Sequence, residues 1–75
     1  MAITITTKIE HGYTVYNFEA NNTSYELLTQ DGKAFDVYSH RIGTGFAPTL
    51  KCYNSLTELA ARSKALANFV KLIEG

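Results

Sequence analysis

The chain contains almost none of the residues that small domains use as cross-links. Its single cysteine, Cys52, excludes an internal disulfide and supplies at most one thiolate to a metal. The histidines His11 and His40 do not lie about two to five residues from it or from each other, the spacing that zinc ligands commonly show. We therefore expect no metal, no cofactor and no catalytic thiol, and we interpret Cys52 as a small buried hydrophobic residue and His11 as a turn residue.

The chain also lacks long apolar runs. No segment approaches the roughly twenty consecutive apolar residues that cross a bilayer. The start, Met1-Ala2-Ile3-Thr4, lacks the basic and apolar segments of an export signal. Because an unpaired cysteine suits a reducing compartment, we expect a cytoplasmic protein without a membrane partner.

Net charge is absent as well. Seven basic and seven acidic side chains cancel, which argues against bulk attraction to nucleic acid or anionic lipid. The two halves differ, because residues 1–37 carry a net charge of −3 and residues 38–75 carry +3. Such an asymmetry can steer a partner, although ordinary solvated faces produce the same pattern.

What the chain does have is a pattern of short strands. In the first segment Ile3, Ile5 and Ile9 alternate with threonine and lysine, which predicts a half-buried strand. The pairs His11-Gly12 and Asn21-Asn22 tolerate left-handed backbone and predict chain reversals. Further strands are predicted at residues 13–18, 25–29, 35–38 and 49–53, the last of them an edge strand.

Three details of this pattern leave room for interpretation. Residues 13–18 are apolar on both faces, so either both faces are covered or a bulge intervenes. Asp31-Gly32 is the preferred pair for a two-residue hairpin turn and predicts a tight hairpin. Residues 43–48 contain two glycines and the only proline, and we interpret them as the principal loop.

The C-terminal third predicts an amphipathic helix. Ser55-Leu56-Thr57-Glu58 is a capping box, in which the Ser55 hydroxyl accepts from the N–H of Glu58 and the Glu58 carboxylate accepts from the N–H of Ser55. Apolar residues then recur at helical spacing through Ile73. The predicted fold is α+β: a single domain over residues 1–75, with an antiparallel β-meander of four to five strands at about 2–53 and one helix at about 55–74 packed on one face.

No acid, base, nucleophile or oxyanion donor stands in a recognisable catalytic motif, so we expect no enzymatic activity. After its last glycine, the stretch from Arg41 to Gly45 lacks the lysine and the following serine or threonine of a P-loop, and it is interpreted as a flexible connection. Our leading hypothesis is a protein-binding module that acts by occupancy, because exposed aromatic residues suit protein interfaces. The candidate partner-binding residues are Tyr16, Tyr38, Arg41, Thr44 and Phe46, with Phe46 the preferred anchor.

Two alternatives remain. A nucleic-acid-binding or regulatory module would use the basic C-terminal half, with Arg62, Lys64 and Lys71 as its footprint. A homo-oligomeric structural protein would pair its edge strand with a second copy. Short chains without catalytic groups are frequent among phage and mobile-element proteins, including inhibitors of host defence such as anti-CRISPR proteins. We extend the leading hypothesis to that class by analogy of size and character.

The small core predicts self-association. With 75 residues, a core contributes about 3–5 kcal/mol, and neither a disulfide nor a metal adds to it. We therefore predict a homodimer at micromolar concentration. Sedimentation equilibrium checks this, and a mass of 8.3 kDa throughout the micromolar range would contradict it.

Overall fold

The computed structural model describes residues 4–45 and 47–74, where five strands precede two helices. All neighbouring strands are antiparallel and follow one another in chain order across the sheet. The predicted α+β meander is confirmed. The elements are β1 (Thr6–Glu10), β2 (Tyr13–Ala20), β3 (Thr23–Thr29), β4 (Phe35–Arg41), β5 (Thr49–Tyr53), α1 (Leu56–Arg62) and α2 (Lys64–Glu74).

Two tight turns join the first three strands. His11 and Gly12 have φ of 53° and 83°, and Asn21 and Asn22 have φ of 54° and 61°. Two successive left-handed residues between antiparallel strands make a type I′ turn, whose twist matches that of the strands. Both predicted reversals are confirmed, and they set the register of β2 against its two neighbours.

That register settles the ambiguity in β2. Every residue from Thr14 to Ala20 has a partner on β3, so no bulge intervenes. Val15 nevertheless retains only 3% of its exposure, on the face away from the helices. Its Cα partners are Lys8 and Leu28, whose long side chains flank it on both sides. The second face of β2 is therefore covered by neighbouring side chains rather than by another layer of the described structure.

The connection between β3 and β4 differs from the predicted two-residue turn. It takes residues 30–34, and the Asp31 carboxylate accepts from the N–H groups of Lys33 (2.8 Å) and Ala34 (3.0 Å). The Thr29 hydroxyl accepts from the N–H of Gly32 (2.9 Å) and donates to the Ala34 carbonyl (2.8 Å). The hairpin was predicted correctly but its turn was not, because these side chains offer the backbone alternative partners.

The prediction that the first strand is half-buried is also wrong. All of β1 is exposed, and Ile9 retains 81% of its exposure. Ile5, just before β1, packs against the core, and Ile3 lies outside the described residues. The reason is that the buried core side chains come from β2 to β5 and the helices, which leaves β1 beyond the covered part of the sheet.

The core is centred on an aromatic cluster. Phe69 of α2 is fully buried, and its ring lies 5.2 Å from that of Tyr16, 5.3 Å from that of Phe18 and 6.2 Å from that of Phe35. Aromatic pairs at such distances contribute about 0.5–1.5 kcal/mol beyond the burial of their area. The predicted apolar helix face is confirmed. Its buried or half-buried members are Leu56, Leu59, Ala60, Ser63, Leu66, Phe69, Val70 and Ile73.

The predicted single helix is instead two. Ser63 has an extended backbone, with φ −159° and ψ 163°, and ends α1. Its hydroxyl accepts from the N–H of Leu66 (3.2 Å), and its carbonyl accepts from the N–H of Ala67 (2.9 Å), so it also caps α2. The apolar periodicity continues through this break, which is why the pattern alone indicated one helix.

The cap of α1 is nearly as predicted. The Ser55 hydroxyl accepts from the N–H of Glu58 at 3.1 Å. The Glu58 carboxylate, however, accepts from the N–H of Asn54 (2.9 Å) instead of that of Ser55. This hydrogen bond ties Asn54, which precedes the N-cap residue, to the first turn of α1.

We predict that Ser63→Ala lowers the free energy of unfolding by about 0.5–2 kcal/mol, because α2 loses its N-cap acceptor. Asn68→Ala, at an exposed site inside α2, is the control and should raise that energy by up to about 0.7 kcal/mol through helix propensity. Urea denaturation measures both. A Ser63→Ala variant more stable than the wild type would mean that one helix runs through residue 63.

Candidate functional site

The sheet has one face that the helices do not cover. Side chains alternate along a strand, so those neighbouring Phe18, Leu27 and Val37 in sequence lie on the side away from the helices. Among the described residues, no element packs over this side. We call it the open face; its members on the four strands β2 to β5 include Val15, Asn17, Glu19, Ser24, Glu26, Leu28, Asp36, Tyr38, His40, Leu50 and Cys52.

Large apolar side chains lie next to each other on this face. Tyr38 and Leu50 are direct cross-strand partners and retain 37% and 50% of their exposure. The adjoining row of the sheet places half-buried Leu28 and exposed Cys52 on either side of Asp36. Single exposed apolar residues are ordinary, whereas neighbouring ones are typical of interaction sites. We refer to Leu28, Tyr38, Leu50 and Cys52 as the apolar patch.

Carboxylates interrupt and border the apolar patch. Glu26 is the partner of Tyr38 on β3, Asp36 lies between Leu28 and Cys52, and Glu19 is exposed farther along β2. Within the described ranges, none of the three carboxylates forms an ion pair. Beside them, on β1, the Lys8 ammonium contacts the Glu10 carboxylate at 2.9 Å, which raises the pKa of Lys8 and lowers that of Glu10. The open face is therefore acidic.

Cys52 is exposed, which corrects its interpretation as a buried residue. It lies on an edge strand and turns toward the open face, where Asp36 is its partner. A hydrogen bond to the Asp36 carboxylate raises the pKa of the Cys52 thiol, and the carboxylate charge adds to that effect. Since nucleophilic and metal-binding thiols require a lowered pKa, the surroundings of Cys52 favour an unreactive thiol.

The five candidate partner-binding residues do not share one surface. Tyr38 lies in the apolar patch, but half-buried Tyr16 lies on the helix side, with its ring against Phe69 and Phe35. Arg41 is exposed at the end of β4, and the Thr44 hydroxyl donates to its carbonyl at 2.8 Å. Phe46 lies outside the described residues. Of the four that the structure describes, Tyr38 is the one that lies next to other exposed apolar side chains.

The three basic residues of the alternative hypothesis diverge. Arg62 ends α1 and faces a crevice beside β5, together with Lys51 and Tyr53. Lys64 begins α2 and lines a different groove, beside Asn17 and the start of β1. Lys71 is exposed two turns farther along α2. The fold does not gather them into one phosphate-binding track.

Of the residues of this site, the sequence-based prediction named Tyr38 and missed Glu19, Glu26, Leu28, Asp36, Leu50 and Cys52. The signal was present, because in β3 and β4 the residues between the core-facing positions must share the opposite face. The described residues contain no group of three histidine, cysteine or acidic side chains placed to hold a metal ion. Neither of the two described helices combines the length and the hydropathy needed to span a membrane.

We predict that Asp36→Asn lowers the pKa of the Cys52 thiol, because the variant lacks the carboxylate whose hydrogen bond and charge raise it. The rate of alkylation by iodoacetamide between pH 7 and 10 measures this change, and Cys52 is the only thiol present. The matched control is Glu26→Gln, which removes a carboxylate from the adjoining row of the sheet. It should change the pKa of the Cys52 thiol less than Asp36→Asn does. An unchanged or higher pKa in Asp36→Asn would contradict the assigned contact.

Comparisons of the chain with protein-family models, with characterised proteins and with solved structures give no match. The chemistry of the open face is therefore the feature that bears on function.

Proposed function

We propose that the protein is a small non-enzymatic binding module that occupies the surface of another protein through its open face. The observation that supports this is the apposition of Tyr38 and Leu50 on an otherwise acidic sheet face that no described element covers. Tyrosine brings large contact area at little cost in side-chain entropy and is enriched at protein interfaces. Leu50 and Leu28 extend that area along the sheet.

Charge selects the class of partner. Glu19, Glu26 and Asp36 present carboxylates that make no ion pair among the described residues, so the open face favours a partner with a basic surface. The same carboxylates repel the phosphates of nucleic acid. A basic protein surface with an apolar centre is the complement of this face.

The site is built on strands rather than on the loop at residues 41–48. The side chains of the apolar patch are spaced by the register of β3, β4 and β5, which the backbone fixes before any partner arrives. Binding then requires little ordering of the backbone, and that saving raises affinity. Occupancy needs only such a preformed surface and no catalytic group.

The proposed setting is the cytoplasm, where an exposed free thiol such as Cys52 stays reduced. An inhibitor from a phage or mobile element, such as an anti-CRISPR protein, would act in this way by covering a functional surface of a host protein. We propose this class because its members are small proteins that act by occupancy, as we propose for this chain.

The proposed homodimer would use a sheet edge. Both β1 and β5 are edge strands, each with one side that no other described strand pairs with. Of these, β5 contributes Leu50 and Cys52 to the apolar patch, so pairing of two β5 strands would place two patches side by side. The homodimer is thus compatible with the binding proposal.

The nucleic-acid alternative is less well supported. Because Arg62 and Lys64 line different clefts, one strand of nucleic acid would not contact both as a continuous track. Even three phosphate contacts would give a log–log salt slope of only about −2 to −3.

We predict that Tyr38→Ala weakens partner binding by about 30-fold, the equivalent of about 2 kcal/mol for an aromatic anchor. Tyr38 is partly exposed and outside the core cluster, so the melting temperature should stay near that of the wild type. The partner is first captured from the source cells after nuclease treatment and purified. Its affinity for each variant is then measured by calorimetry.

Leu72→Ala is the matched control, since Leu72 is an exposed apolar residue on α2, on the other side of the molecule. It should leave the affinity unchanged, as should Lys64→Glu combined with Lys71→Glu. Glu26→Lys should weaken binding if the partner surface is basic. If only the lysine reversals abolish capture, or nuclease releases everything captured, the nucleic-acid alternative replaces this proposal.

A further inference from the structure

A small crevice lies on the helix side of the sheet, away from the open face. It runs between β4 and β5 and the junction of the two helices, and it has a volume of about 190 Å³. Buried Val37 and Leu66 form its floor, and polar residues, among them Lys51 and Arg62, surround them. This combination of an apolar floor and a polar rim is typical of small-ligand sites.

The charges at this crevice are all of one sign. Lys51 and Arg62 both line it, and its lining contains no aspartate or glutamate. Within the described ranges, neither cation forms an ion pair. The acid four residues before Arg62 on α1, Glu58, is hydrogen-bonded to the N–H of Asn54 instead. Two cations at one crevice repel each other, and an anion held between them would reverse that repulsion.

Hydroxyl groups complete the donor set. Ser39, Thr49, Tyr25 and Tyr53, each of which carries a hydroxyl group, also line the crevice. The Ser63 hydroxyl lies at the crevice too, where it accepts from the N–H of Leu66 in capping α2. Arginine can donate to two oxygens of an oxyanion at once, lysine adds a point charge, and hydroxyl groups can donate to the remaining oxygens.

We propose that this crevice binds a single phosphate group, either free or carried on a small organic molecule. A phosphate has enough acceptor oxygens to use both cations and the hydroxyls, whereas a carboxylate has only two oxygens. The volume is below the roughly 300–1,000 Å³ of sites for larger ligands, so a whole nucleotide does not fit. The apolar floor of Val37 and Leu66 provides contact for a small organic group.

This site is independent of the proposed protein-binding function. It lies on the opposite side of the sheet from the apolar patch and carries the opposite charge. Failure of phosphate binding at the crevice would therefore not contradict protein binding at the open face. Failure of protein binding at the open face would likewise not contradict phosphate binding.

The test is titration of the ¹⁵N-labelled full chain with inorganic phosphate, and separately with phenyl phosphate and with benzoate, at constant ionic strength and pH 7.5. The expected result is a saturable shift of the amide signals of Ser39, Thr49, Lys51 and Arg62, with benzoate binding more weakly than either phosphate. Tighter binding of phenyl phosphate than of inorganic phosphate would identify a phosphorylated organic molecule as the ligand class. The reverse order would identify free phosphate.

Arg62→Gln and Lys51→Gln should each weaken phosphate binding by about tenfold, the equivalent of losing one hydrogen bond to a charged group. Lys64→Gln and Lys71→Gln remove the same charge outside the crevice and serve as matched controls, with circular dichroism melting curves to show that each variant folds. An equal loss in the controls would mean that net charge alone attracts the anion and would overturn the proposal. Shifts that do not saturate, or benzoate binding as tightly as phosphate, would overturn it too.

Discussion

The packing of Phe69 against the rings of Tyr16, Phe18 and Phe35 is the contact on which the arrangement depends. It joins α2 to β2 and β4, which lie on either side of the central strand. Within residues 4–45 and 47–74, one pair of short helices packs over a five-stranded sheet. Because α1 and α2 both pack on this side of the sheet, no other described element covers the open face. The exposed Tyr38 and Leu50 follow from that shortage of covering structure.

Much of the fold could be predicted from local patterns. Left-handed turn residues, such as Asn21-Asn22, and alternation along the strands specify a meander, because each strand pairs with its predecessor. The break at Ser63 could not be read in the same way. Ser63 occupies an inward-facing position both for a continuous helix and for two separate ones. Only the local competition between a helical backbone and a capping hydroxyl decides between them.

The candidate site was harder to predict than the fold. Aromatic content suggested an interface, but Tyr16 and Tyr38 look alike in the sequence and lie on opposite sides of the sheet. Telling them apart requires knowing which side the helix covers. Cys52 was misjudged for a related reason: a small apolar residue in a strand is buried only if its face has a covering layer. Burial depends on tertiary packing, and the sequence of a single strand does not specify which of its faces another element will cover.

The meander also bears on how the chain reaches this structure. Every hydrogen-bonded strand pair is consecutive in sequence, and two of the four connections have two residues each. Closing short loops costs little chain entropy, so each hairpin can form before the next strand joins it. The docking of Phe69 is the step that spans a long separation in sequence. Folding is therefore expected to be fast for a β-rich domain, with the sheet assembling strand by strand and α2 docking onto it to complete the core.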